Sequence, residues 1–143
     1  MMISTKGRYA LRVLIDMAER QSEGYIPLKA IAERQEISEK YLESIVKMLV
    51  KGGVLTGLRG KGGGYRINGA PEQYTVGDIL RLTEGSLAPV ACLEPGCSPC
   101  PRMAGCRTLA MWQGLDEVIS GYLDQFTLAD LVQVERPGDD YVI

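Results

Sequence analysis

The 143-residue sequence predicts a mainly α-helical fold with a small β-hairpin wing. Three observations carry that expectation. Two amphipathic runs flank a short break between Pro27 and Lys51, a glycine-rich basic loop separates two β-prone stretches, and a long apolar-faced run follows residue 106.

From Thr5 to about Glu19, Tyr9, Ala10, Val13, Leu14, Met17 and Ala18 recur at helical spacing and form one apolar stripe. Ser22-Glu23-Gly24 ends this helix. Pro27 suits the first turn of a second helix running to about Arg34, with Leu28, Ile31 and Ala32 facing inward. Gln35-Glu36-Ile37 breaks the pattern, and Ser38 is a good N-cap for a third helix over Glu39–Lys51. There Leu42, Ile45, Val46, Leu49 and Val50 make the buried stripe, while Lys40, Glu43, Ser44, Lys47 and Lys51 share the opposite face. Gly52-Gly53 stops the helix. Val54–Leu58 and Tyr65–Ile67 read as strands around the loop Arg59-Gly60-Lys61-Gly62-Gly63-Gly64. Helix, turn, helix and hairpin in this order make a winged helix-turn-helix.

Thr75 and Asp78 form a capping box for a fourth helix ending near Thr83. A cysteine-bearing, Pro- and Gly-rich segment then leads into a long helix from about Arg107 to Phe126. Its apolar face carries Leu109, Trp112, Leu115, Ile119, Tyr122, Leu123 and Phe126 near heptad spacing, spoiled only by Asp116. After Val134 the chain reads as a frayed tail. The expected organisation is residues 1–85 as the winged helix-turn-helix, 86–106 as a cysteine-rich loop, 107–130 as a dimerisation helix, and 131–143 as a flexible tail.

The net charge of −2 hides a split. Residues 1–70 hold twelve Lys/Arg against seven Asp/Glu, leaving +5, whereas residues 71–143 hold four against eleven, leaving −7. One end therefore suits a polyanion and the other does not. No apolar run approaches the roughly 20 residues that span a bilayer. The early apolar positions are broken by Arg12 and Asp16 and have no cleavage site behind them, so the expectation is a cytoplasmic protein with no membrane partner. The chain has no histidine, which removes the commonest general base. Neither an enzyme nor a small-molecule substrate is expected.

The second helix of a helix-turn-helix offers its N-terminal side chains to base edges in the major groove. Ser38, Lys40, Tyr41, Glu43 and Ser44 are the candidate readers, and Lys47 is placed to meet a phosphate. A carboxylate at Glu43 accepts from a cytosine amino group but repels phosphate, so it adds discrimination rather than affinity. In the wing, glycines at Gly60, Gly62 and Gly63 allow close backbone approach, and Arg59 and Lys61 suit a narrow, negative minor groove. Lys6, Arg8 and Tyr65 complete the candidate interface with a double-stranded DNA operator.

The four cysteines lie at Cys92-x4-Cys97-x2-Cys100-x5-Cys106. Clustered thiols outside an oxidising compartment point to metal or redox chemistry, and a thiolate-only set suits an iron–sulfur cluster or zinc. Cys106 stands at a helix N-terminus, which favours the thiolate. A thiol–disulfide switch is the alternative.

Ser4-Thr5-Lys6-Gly7-Arg8-Tyr9-Ala10, Lys40-Tyr41-Leu42-Glu43, the wing Arg59 to Tyr65 and the cysteine loop ending Cys106-x5-Trp112 together resemble the IscR/NsrR-type regulators. The resemblance covers about residues 1–130. It implies a homodimeric winged-helix transcription factor that senses iron–sulfur, nitric oxide or redox status. It implies that Cys92, Cys97 or Cys100, and Cys106 hold a [2Fe–2S] or [4Fe–4S] cluster, that Tyr41, Glu43 and the Arg59 wing read DNA, and that the long helix crosses to the partner subunit. Two positions depart from the pattern. Leu109 stands where IscR-type members place a histidine ligand, leaving the fourth position to the extra cysteine, a carboxylate such as Glu94, the other subunit or an exogenous ligand. Glu36 replaces a frequent glycine in the turn. The rival readings are a zinc-binding or thiol-switched regulator of the same fold, a zinc-stabilised interaction protein without a DNA role, and a thiol oxidoreductase.

Overall fold

A computed structural model describes residues 3–134. The expected tail beyond Val134 lies outside the described residues. Helix α1 (Thr5–Glu19) starts where the Ser4 hydroxyl accepts from the Gly7 amide, and it buries Ala10, Val13, Leu14 and Met17. Helix α2 (Leu28–Gln35) has Pro27 as its N-cap rather than inside its first turn, with extended backbone at φ −62° and ψ 139°. Helix α3 (Glu39–Lys51) is capped by Ser38 and buries Leu42, Ile45, Val46 and Leu49, leaving Val50 exposed. Strands β1 (Leu55–Leu58) and β2 (Gly64–Ile67) pair antiparallel with Leu55 opposite Ile67 and Leu58 opposite Gly64. Helix α4 (Val76–Glu84) begins in the Thr75/Asp78 capping box.

The C-terminal part differs from expectation. The long helix α5 spans Leu109–Leu123, and a further helix α6 (Leu128–Val132) follows in its own capping box, Thr127/Asp130. The two hydrophobic positions that bracket that box explain the difference: Phe126 packs with Val76 and Leu80, and Leu128 is fully buried in the core with α1 and α3. Backbone bonds from Val76 N–H to Phe126 and from Leu128 N–H to Tyr74 close the chain back on itself. Burying a leucine side chain contributes about 2 kcal/mol or more, enough to end α5 and turn the chain inward.

No residue of α5 is fully buried. Ile119 and Leu123 pack towards α4, whereas Met111, Leu115, Val118 and Tyr122 form an outward row, from 40% to 67% exposed. The single apolar stripe expected for this helix is thus two faces.

The one buried charged residue among those described is Asp16, in the last turn of α1. Arg34 donates to both of its carboxylate oxygens, at 2.7, 2.9 and 3.2 Å, and Gln35 Nε2 donates at 2.9 Å. Burial alone pushes this carboxyl up, but the bonds from Arg34 and Gln35 outweigh it and hold it below the usual range. Arg12 also reaches Gln35, through its side-chain and backbone oxygens. Together these bonds fix the end of α2, where Glu36 adopts a left-handed φ of 54°.

Replacing Asp16 by Ala should destabilise the protein by about 2 kcal/mol, less than for a fully enclosed pair because Arg34 keeps some solvent. The folded-state pKa is depressed, so the contribution is complete above the unfolded value of about 3.9 and is lost as pH falls through the folded value. Denaturant titrations of wild type and Asp16→Ala should therefore differ constantly from neutrality to about pH 5 and converge only as pH falls below about 3.9.

Candidate nucleic-acid interface and cysteine segment

The second face of α3 is set by its cap. With Ser38 at the N-cap, its hydroxyl accepts from Tyr41 N–H at 3.1 Å, and Lys40, Glu43, Ser44 and Lys47 emerge exposed. Among the described residues no ion pair engages Lys40, Glu43, Lys47, Arg59 or Lys61. The Ser44 hydroxyl is turned back, donating to the Tyr41 carbonyl at 2.7 Å. Tyr41 is half-buried, its ring edge-on to Tyr9 at 5.9 Å, and the Arg12 guanidinium lies 4.9 Å over that Tyr9 ring. Of the expected readers, Lys40, Glu43 and Lys47 are therefore free, whereas Ser38, Tyr41 and Ser44 also serve the helix itself.

The wing is built by backbone approach. Tyr65 exchanges two hydrogen bonds with Ile26, at 2.8 and 2.9 Å, which adds a third extended segment beside the hairpin. Gly64, at φ 152°, passes so close to the Ile26 carbonyl that a Cβ would collide with it. The Tyr65 ring lies along Gly57 and is half-buried, so it supports the wing rather than its tip. Arg59, Gly60, Lys61 and Gly62 are exposed at the turn, with Gly63 N–H closing onto the Gly60 carbonyl at 3.0 Å.

Between α2, α3 and the wing runs an open groove of about 710 Å³. Lys29, Lys47 and Arg59 line it together with the backbone of Gly60 and Gly63, and Glu39 is the acidic member. Lys29 is not among the residues that the sequence pattern marks for this interface. Its signal was its place beside the Pro27-Leu28 start of α2, but helical periodicity marks it only as solvent-facing. Lys6 and Arg8 lie at the start of α1, with Arg8 exposed and donating to Thr5 at 3.2 Å. The Ser4 hydroxyl that caps this helix donates in turn to Glu84 at 2.6 Å, tying α1 to the end of α4.

The cysteine segment is held by little besides local turns at Ala91–Leu93 and Met103–Gly105. All four thiols are free; Cys97 and Cys106 are exposed, Cys92 and Cys100 partly so. Cys97 donates to the Cys92 carbonyl at 3.0 Å. Among the described residues no three Cys, Asp or Glu side chains converge as a metal site. The donor chemistry fits a thiolate-bound cluster or zinc, and the loop would have to close around either. Cys106 stands 3.5 Å from the Thr108 hydroxyl, and bonds from that hydroxyl and from the amides of Thr108 and Leu109 hold its pKa below the ordinary thiol value. Leu109 begins α5 there, so no imidazole is available beside it.

The family pattern described as "Rrf2: Iron-dependent Transcriptional regulator" matches residues 3–134. Among curated proteins, the chain is 41% identical to Protein rrf2 of Nitratidesulfovibrio vulgaris, across 93% of this chain and 88% of that one. It is 39% identical to the HTH-type transcriptional regulator CymR of Bacillus subtilis, across 92% and 89%. It is 38% identical to the regulator IscR of Serratia proteamaculans, across 92% and 79%. Among solved structures, that of the global cysteine regulator CymR of B. subtilis superposes with a TM-score of 0.76 at 37% identity, covering 95% of this chain and 99% of that one. T. potens IscR superposes with a TM-score of 0.70 at 32% identity, covering 99% and 97%.

Two substitutions separate the roles of the wing glycines. Gly64→Ala should lower stability by about 2 kcal/mol or more, because both the φ and the Ile26 carbonyl oppose it. Gly60→Ala, in open space at φ 94°, should cost only about 1 kcal/mol; thermal melts of both variants check the order. For the thiols, iodoacetamide mapping across pH should label Cys106 at a lower pH than an ordinary thiol, and Thr108→Val should reduce that advantage by taking away the hydroxyl, its largest cause.

Proposed function

Because the chain belongs to the Rrf2 family of transcriptional regulators, we propose that it reads operator DNA as a homodimer and that its cysteine segment decides how well it does so. The observation that carries this reading is the uncommitted row Lys40, Glu43, Lys47, Arg59 and Lys61, set on one recognition helix and one wing around a basic groove. α3 has the dimensions to enter the major groove, and the wing tip has the charge and slimness for the minor groove. Lys29 and Lys47 supply phosphate contacts, and Glu43 rejects sites that lack a suitable donor.

The outward row Met111, Leu115, Val118 and Tyr122 supports dimerisation through α5, since it follows heptad spacing and stays 40% to 67% exposed, with only Tyr122 touching another ring, that of Phe126. Two copies crossing there carry two recognition helices, one for each half-site, in the cytoplasm where the DNA is. Cys92, Cys106 and either Cys97 or Cys100 would hold a [2Fe–2S] or [4Fe–4S] cluster. Such a group, when bound, supplies sensitivity to iron supply, oxidants or nitric oxide. The chain's own contribution is to order residues 92–106 against the start of α5. Four free thiols, two of them exposed and one activated, also favour a second reading in which zinc or a disulfide takes that place.

Anaerobically purified protein should show visible absorption from iron and sulfide, and its operator affinity should change at least about tenfold when chelation or Cys106→Ala empties the segment. Equal affinity in all three states would contradict the sensing role, and colourless protein with one zinc per chain would decide for the second reading. In salt titrations Lys47→Ala should reduce the slope of log K against log salt by about 1, uniformly across sequences. Glu43→Ala should instead relax sequence preference by about 1–3 kcal/mol at one base pair while leaving that slope unchanged.

A further inference from the structure

Asp116 interrupts the apolar stripe of α5, and neither DNA reading nor the outward face gives it a role. It lies two helical turns before Asp124, on the side of α5 towards α4. Arg81 of α4 receives the field of both carboxylates. It binds Asp124 in a two-pronged pair, Nη1 to Oδ1 at 3.0 Å and Nη2 to Oδ2 at 2.9 Å, and Thr75 Oγ1 donates to the same Oδ1 at 3.3 Å. Asp78 stands 3.7 Å from Arg81 Nη1. Gly77 makes the room, since a Cβ there would collide with Asp124 Oδ1. Beside this clamp is a recess of about 190 Å³ bounded by Arg81, Leu87, Leu93, Pro95, Asp116 and Ser120. Leu93 and Pro95 belong to the cysteine segment, between Cys92 and Cys97.

We infer that Arg81 is a positioning residue: its clamp on Asp124 fixes the angle between each DNA-reading unit and α5, and Leu93 and Pro95 make that angle answer to the cysteine segment. The inference rests on the dimer reading above. A paired guanidinium and carboxylate constrains direction as well as distance. Besides the clamp, α5 packs on the winged unit through Ile119, Leu123 and the closing turn at Phe126, so loss of the ion pair leaves its angle to that small apolar contact. Both partners are more than one-third exposed, so the pair adds little to stability and its removal leaves the fold intact.

The test uses the full chain and duplexes selected by the wild type from a random double-stranded library. The spacing of their half-sites is then changed by roughly five base pairs, half a helical turn. Wild type should lose about tenfold in affinity or more on the altered spacing, whereas Arg81→Ala and Asp124→Asn should discriminate by less than about threefold. Thermal melts and sedimentation should show both variants folded and dimeric, and Arg81→Lys, which keeps one prong, should fall between. Alkylation of the cysteines with N-ethylmaleimide should change the preferred spacing of wild type but not of Arg81→Ala. Variants that keep the wild-type discrimination, or that respond equally to alkylation, overturn the joint alone. A wild type indifferent to spacing overturns the dimer reading itself.

Discussion

The burial of Leu128 is the constraint on which the arrangement depends. A chain that simply continued α5 would leave this leucine in water; instead it enters the core against α1, and backbone bonds at Val76 and Tyr74 hold the return. That return ties the C-terminal end of α5 to the winged unit and leaves its other end free. The cysteine segment joins the free end. The element best able to change its order is therefore placed where a change has the longest lever on the recognition helix.

The same division separates rigid from adaptable parts. Around α1 the packing is dense, with a bidentate Arg34–Asp16 pair that also takes Gln35, and Arg12 braces the end of α2 from outside. The turn into α3 can hold a strained Glu36 because these bonds over-determine it. Tyr9 and Tyr41 then carry that rigidity to the first turn of the recognition helix. Base reading needs side chains fixed in direction, whereas sensing needs a segment that can reorganise. In the proposed function the basic half does the first and the acidic half the second.

Much of this was legible in the sequence because it is local. Ser38, Thr75 and the paired glycines after Lys51 mark helix ends by their own hydrogen-bonding and backbone preferences, and the bounds of α1 and α3 agree with that reading. The wing was equally plain from glycines and two short β-prone runs. What escaped is non-local. Nothing near Phe126 announces that Leu128 is wanted by residues more than a hundred positions earlier, so periodicity alone runs the long helix on and makes the rest a tail. Asp116 looked like a flaw in a stripe because its partner, Arg81, lies on another helix. In the candidate site, the free cations were readable from helical phase, but the engagement of Tyr41 with Tyr9 and of Ser44 with its own helix depends on packing and rotamers.

In the proposed function the state of the cysteine segment sets the separation of two recognition helices. Energy transfer between fluorophores placed at Lys40 of each protomer, read anaerobically in the DNA-free dimer, measures that separation directly. The account predicts a distance near one helical turn of DNA, about 34–36 Å or a multiple of it, in the state that binds operator, and a shift of several ångströms when chelation or alkylation empties the segment. An unchanged distance in a protein whose operator affinity does change would contradict it.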